Sequence, residues 1–390
     1  MLNQTQFFWS LPTPQEFCSA VTDAAKVKRA IIVNRPRDRS PDHGLREALQ
    51  CANIPDPLFI DVQDGTNISN TLAPHFGGSA THASNLAAEK SPHGHAVVLR
   101  ANSERSQKHC EKYMGEFIES LPEHDGNIRL ILSFEDPGMK ETASHEDFAV
   151  IVYDGMLPPE EMQAYVSYRM LGRQDFKSTS LLRHLVTEFA SFDVGLAEDL
   201  MRMTNAEILG LPESLTQLLA TKEEKWATPS WIRGSASLTC PNETHTLHEW
   251  YQAIHTSPLS DKGRDAVHRR YWRACIKAIS PWIEERRHIV VSELQPVLLQ
   301  LEPSGSFQIP VGNKNEFKSV KIKDLEYSDL QYQKRMAREQ NIKLTARQAR
   351  AFDICGKARI VRNEISHTRM PPLASIQDLV LSLEDFVQQI

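Results

Sequence analysis

Short apolar segments separated by helical patterns restrict what the first half of this chain can fold into. Arg29–Val33 (RAIIV), Leu58–Val62 (LFIDV), Ala96–Leu99 (AVVL), Ile128–Phe134 (IRLILSF) and Phe148–Tyr153 (FAVIVY) have the near-continuous apolar character of strands buried on both faces. Helical patterns at Pro41–Cys51, Ile68–Phe76 and Ser106–Leu121 lie between them, and Pro158–Tyr168 follows. This alternation predicts an α/β domain with a mostly parallel sheet, covered by helices on both sides.

From about residue 176 the apolar spacing turns helical. Leu181–Met203, with a break expected at Gly195, and Ala206–Leu219 form one helical stretch. Trp226–Pro241 reads as a linker. A second helical region carries Trp250, Tyr251, Tyr271, Trp272 and Trp282, aromatic residues that either fill a core or stack on RNA bases. Residues 303–320 read as a hairpin or loop. Helices are then expected at Leu330–Gln340, from a Thr345 N-cap through His367, and at Ser375–Val387. The expected division is an α/β domain over 1–172, an all-α lid over 173–225, a linker over 226–249 and an all-α bundle over 250–390.

No apolar run approaches the ~20 residues of a membrane helix, and the first residues lack a signal peptide's basic start and apolar core. Six cysteines without a CxxC pair fit reduced thiols, so a cytoplasmic location is expected. Cys240, His245 and His248 do not have a standard zinc spacing, and neither metal nor cofactor is expected. Net charge is −6 but unevenly placed: residues 305–370 carry 14 Lys/Arg against 7 Asp/Glu, leaving −13 for the rest. Such a segment either meets a polyanion, forms a solvated face, or docks on the protein's own acids.

Within it lies Arg359-Ile-Val-Arg362-Asn363-Glu364-Ile-Ser366-His367, stopped by Pro371-Pro372. An arginine neutralises a phosphate and a histidine moves a proton near neutral pH, enough for phosphodiester chemistry without a metal. On a helix Arg359, Asn363 and His367 share one stripe. Arg362 and His367 are separated by roughly 140° at ~100° per residue. A joint site therefore needs a long reach, a distorted helix, or a second copy across a dimer axis. His367 as a plain helix C-cap is the competing reading.

Arg362, Asn363 and His367 resemble the Arg-polar-x3-His motif of the HEPN superfamily. The resemblance implies a homodimeric, metal-independent RNA endonuclease that leaves a cyclic phosphate. His367 is then the general acid/base, Arg362 the phosphate-binding group and Asn363 the residue that orients one of them. Arg350, Lys357, Arg359 and Arg369 lie outside the motif as auxiliary RNA contacts. In families of this layout the nuclease acts as a bacterial toxin or antiphage effector, released by a protein partner or phage trigger. An inactive bundle serving as an adaptor or regulatory subunit is the alternative.

The order of strands and helices before residue 172 is similar to the core of AAA/STAND-type P-loop NTPases. The loop after the first strand, Asn34-Arg35-Pro36-Arg37-Asp38-Arg39-Ser40-Pro41, has prolines and no GxxxxGK[ST]. The third strand ends Val98-Leu99-Arg100-Ala101, with no acidic pair for magnesium. A degenerate, non-hydrolysing sensor or oligomerisation domain is expected, with Arg35, Arg37 and Arg39 as phosphate or nucleic-acid contacts.

Overall fold

A computed structural model describes residues 4–388, apart from 36–40, 55, 77–81, 92–93, 135–141, 172–178, 222–243, 256–261 and 311–316. Its contacts divide the described chain into two units. One comprises the residues up to Tyr165 with Phe192–Val194, and the other contains the rest. Helical segments expected as a separate lid thus belong to the same unit as the C-terminal helices. The expected linker lies mostly outside the described residues.

The first unit is α/β. Its elements are α1 (Gln4–Trp9), α2 (Pro12–Val27), β1 (Ala30–Asn34), α3 (Asp42–Cys51), β2 (Leu58–Val62), α4 (Ile68–Phe76), α5 (Ala83–Ala88), β3 (His95–Ala101), α6 (Glu104–Ser120), β4 (Ile128–Phe134), β5 (Ala143–Ser144), β6 (Phe148–Val152) and the start of α7 (Pro159–Arg169). The sheet order is β2-β3-β4-β1-β6-β5. β1 lies centrally, parallel to β4 (Ala30↔Leu130) and to β6 (Ala30↔Phe148). Among the described strands of this sheet only β5 is antiparallel, paired with β6. It is an edge of two exposed residues and has no apolar pattern to announce it.

Alternate residues of each strand serve opposite faces. Ala30, Val97, Leu99, Leu130 and Leu132 join Leu72, Leu86 and Phe117 of α4, α5 and α6. Ile31, Val33, Val98, Ile131 and Ile151 join Phe17, Val21, Leu45 and Leu49 of α2 and α3. Each large side chain buried this way contributes about 1.5–3 kcal/mol. α6 starts in a reciprocal cap: the Ser103 hydroxyl accepts from the Ser106 N–H, and the Ser106 hydroxyl from the Ser103 N–H. At the other end of the sheet Asn127 donates its N–H to the Glu89 carbonyl at 3.1 Å. The same Asn127 ties Ser91 in both directions. This pins α5 against Gly126, where a Cβ would stand 2.3 Å from the Ala87 oxygen.

In the second unit, α8 (Thr179–Ala190), α9 (Val194–Arg202), α10 (Asn205–Leu209) and α11 (Leu215–Thr221) precede α12 (Thr246–His255) and the 40-residue α13 (Lys262–Leu301). The hairpin β7 (Ser306–Pro310)/β8 (Phe317–Lys321) follows, then α14 (Tyr327–Glu339), α15 (Ala346–Ser366) and α16 (Leu373–Val387). The break expected at Gly195 falls instead at Ser191, whose φ of 55° places a non-glycine residue in the left-handed region. Gly195 lies within α9. Trp250 and Tyr271 are core residues, so neither presents a ring for base stacking.

An ionic node centred on the buried Glu188 and Arg270 joins α8, α12 and α13. The Glu188 carboxylate accepts from Arg273 at 2.7 Å and Lys277 at 2.5 Å. Arg270 donates to the Glu249 carboxylate and to the Glu188 and Thr244 carbonyls. Burial would raise the Glu188 carboxyl, but its hydrogen bonds and charge pairing with Lys277 and Arg273 outweigh it and hold it below the ordinary value of 4.5. Burial, aided by the Lys277 charge, lowers His184 from its ordinary 6.5. Both folded-state values are depressed, so the unfolded chain binds protons that the folded chain does not, and stability falls as the pH is lowered. The expected loss begins below about pH 6.5, through His184, and deepens below about 4.5, through Glu188. Urea midpoints measured from pH 8 to 4 check this, and His184→Gln should flatten the upper part of the curve.

Candidate functional site

α15 is built to hold its sequence motif at a defined end. Thr345 caps its start, accepting from the Gln348 N–H at 3.1 Å while the Gln348 side chain accepts from the Thr345 N–H at 3.0 Å. Ala351, Phe352, Ile354, Cys355, Ala358, Val361 and Ile365 form its buried face. The Trp272 indole of α13 donates to the Ile365 carbonyl at 2.7 Å and so fixes the last turn. His367 is the C-cap, its backbone N–H reaching the Asn363 carbonyl at 3.0 Å. The chain then reverses through Thr368 at φ 57°, and the Arg369 N–H returns to the Glu364 carbonyl at 2.9 Å. A β-branched residue is unusual in this left-handed position, which glycine normally fills. Such strain costs on the order of 1–3 kcal/mol and clusters at functional sites.

Opposite the buried face, Arg359, Asn363 and His367 are all exposed, together with Ile360 at 51%. Their spacing places them on one stripe. Arg362 stands at its flank with its side chain 35% exposed, and its charge is engaged. Its Nη1 donates to Glu326 Oε2 at 2.9 Å, and its Nε lies 3.3 Å from Glu284 Oε1. Glu284 comes from α13, and Glu326 immediately precedes α14. The sequence reading missed both carboxylates. They lie outside the motif on other elements, and no local pattern marks them.

The auxiliary cations divide into two groups. Arg359 and Arg369 are exposed. Lys357 is bound at 2.8 Å to both Asp378 and Ser382 of α16. Arg350 lies 3.8 Å from Asp385. Arg347 pairs with Glu293 of α13 at 2.8 Å. Much of the basic segment therefore meets acids of its own unit, one of the alternatives its charge left open.

Arg35 is 6% exposed at the carboxyl end of β1. Its Nε donates to Ser133 Oγ at 2.9 Å and its Nη2 to Asn102 Oδ1 at 3.0 Å, so it bridges the strand ends. Arg37 and Arg39 lie outside the described residues. So does Cys240, while His245 and His248 are buried, the latter beside Gln252. Among the described residues no group of three or more His, Cys, Asp or Glu is arranged to hold a metal ion, and no helix is long and apolar enough to cross a membrane.

No family model matches the chain, and no curated protein matches it. Among solved structures, the crystal structure of Saccharomyces cerevisiae RIF2 aligns with 68% of this chain and 90% of that chain, at 12% identity and a TM-score of 0.28. A likeness this low carries no argument about fold or function, and the site stands on its own chemistry.

Proposed function

We propose that the helical unit is a metal-independent RNA endonuclease and the α/β unit its regulatory sensor or oligomerisation platform. The observation that carries this reading is the exposed Arg359–Asn363–His367 stripe, which ends at the strained Thr368 turn. In the reaction, a histidine takes the proton of the ribose 2′-hydroxyl as that oxygen attacks the adjacent phosphorus. Arginine stabilises the extra negative charge on the phosphoryl oxygens, and the departing 5′-oxygen is protonated. The products are a 2′,3′-cyclic phosphate and a 5′-hydroxyl. Each protomer supplies one His367, so base and acid come from two copies related by a dimer axis. Asn363 orients one of the two reacting groups.

The Glu284 and Glu326 contacts to Arg362 favour a second reading, an adaptor with an inactive bundle. Under the nuclease reading the same carboxylates keep the enzyme latent by occupying the guanidinium needed for phosphate. Glu284→Gln/Glu326→Gln separates the two. A latent nuclease should gain up to about fivefold in cleavage rate, the factor for ~1 kcal/mol of freed interaction. Its stability should change little, since pairs this exposed are worth about 0–1 kcal/mol. An adaptor cleaves nothing in either form. Gel-resolved RNA cleavage in EDTA, with the dimer confirmed in the same sample, reads the result.

A further inference from the structure

β2 closes one end of the six-stranded sheet, with β3 on its inner side and no strand on its outer side. We propose that this edge pairs with the β2 edge of a second copy of the chain, antiparallel about a two-fold axis at Ile60, and so joins two sheets into one. Among the described residues no backbone hydrogen bond reaches Leu58–Val62 from outside the sheet. An unpaired edge of this kind is a template for another strand. The opposite end of the sheet offers less, because β5 is two residues long. The contact goes beyond the nuclease reading and does not depend on it.

The charges beside β2 select a second copy over a foreign strand. Sheet edges are commonly blunted by an exposed charge, and Asp61 is exposed. That charge is answered within the chain: Arg100 donates to Asp61 Oδ2 at 2.7 Å and also pairs with Asp42. Arg46 of α3 has no such answer. It is exposed, its guanidinium carbon lies 4.3 Å from the centre of the Phe59 ring, and no carboxylate engages it among the described residues. Phe59 packs against the core shared with α2 and α3, and Asp61, two residues on, lies on that same face of the strand. The edge therefore carries, side by side, an unanswered cation and an exposed carboxylate.

A two-fold axis at Ile60 opposes Leu58 to Val62, Phe59 to Asp61, and Ile60 to its own copy. Directly opposed side chains stand about 4.5–5.5 Å apart at Cβ. Asp61 of the second copy then falls within reach of the Arg46 guanidinium above Phe59, and the contact repeats across the axis. Asp42, Arg100, Asp61 and the second copy's Arg46 make a run of alternating sign. On the other face Leu58, Ile60 and Val62, which belong to the core under α4, α5 and α6, meet only each other. Neighbouring registers lose these matches. An axis at Asp61 opposes two carboxylates, and an axis at Phe59 opposes Asp61 to Pro57, which has no N–H to give. Two five-residue strands make a contact small against the roughly 1,600 Å² of a standard interface, so the association is reversible and depends on concentration.

Amide hydrogen exchange of the full chain, read by mass spectrometry over about a hundredfold range of protein concentration, tests the proposal. Exchange in Leu58–Val62 should slow as concentration rises. Protection confined to residues 359–369 would instead report the separate dimer proposed for His367, so the two readings fail independently. Arg46→Glu and Asp61→Lys each set like charges together on both sides of the axis. Each should raise the concentration that half-protects β2 by about tenfold or more. Mixed in equal amounts, the two variants place opposite charges at every contact, and they should associate at least about tenfold more tightly than either alone. Recovery in the mixture also shows that both variants are folded. Exchange in β2 that is the same at every concentration leaves the edge for a strand of another protein and overturns the proposal. So does either variant associating like wild type, or a mixture no tighter than its components.

Discussion

His367→Ala is expected to reduce metal-free RNA cleavage by about 10²–10⁴-fold, the usual contribution of a general acid/base. The measurement is the yield of cyclic-phosphate ends in EDTA, from preparations matched for dimer content. The fold should survive, because the His367 side chain is exposed and its backbone N–H makes the cap. Arg362→Ala should cause a comparable loss. Unlike His367→Ala it also removes two ion pairs, so a small drop in melting temperature accompanies it. Loss in both variants, with gain in Glu284→Gln/Glu326→Gln, identifies a restrained nuclease. Cleavage unchanged by His367→Ala would sink the catalytic assignment, because no other group in the proposed site takes its proton-transfer role.

Gly126→Ala should strongly destabilise the α/β unit. The added carbon would stand 2.3 Å from the Ala87 oxygen and 2.6 Å from the Glu89 oxygen. Both obstacles are backbone, so no side-chain rotation relieves them, and α5 must move off the start of β4. Arg29 resists that movement, since its guanidinium donates to the Ala87, His124 and Ile128 carbonyls. Overpacking of this kind costs about 3 kcal/mol, equivalent to roughly 6–12 °C of melting temperature in a domain this size. Thermal unfolding followed by circular dichroism measures it. Gly44→Ala is a useful comparison, because there the obstacle is the Trp9 ring, a side chain.

Much of the local structure could be read from residue order alone. β2 and β4 fall where their apolar runs place them, the Thr345 cap starts α15, and Ile376, Leu379, Val380, Leu383 and Phe386 form the buried face of α16. These features depend on neighbours within a turn or a strand. What was illegible depends on distant partners or unusual backbone. Gly195 suggested a break because glycine is a poor helix former, yet it lies within α9, and Ser191 makes the turn instead. At the site, the Arg359–Asn363–His367 stripe follows from helical period. The two carboxylates on Arg362 come from α13 and the start of α14, and only the tertiary fold brings them together. Likewise, Leu58–Val62 read as a buried strand, but nothing in that pattern said that β2 would close one end of the sheet.

The strand order imposes a sequence of events on the chain as it is made. β1 is one of the two central strands, yet both its neighbours are encoded far downstream, in Ile128–Phe134 and Phe148–Val152. β2 and β3 pair with each other but do not touch β1. A growing chain therefore completes a small peripheral ribbon while Ala-Ile-Ile-Val of β1 still has no partner on either edge. Pairings this distant are slow to form and leave apolar strand edges exposed to other chains. Once β4 and then β6 emerge, β1 is enclosed from both sides and the unit closes around it. Truncations ending before residue 128 should accordingly aggregate, whatever the stability of the finished protein.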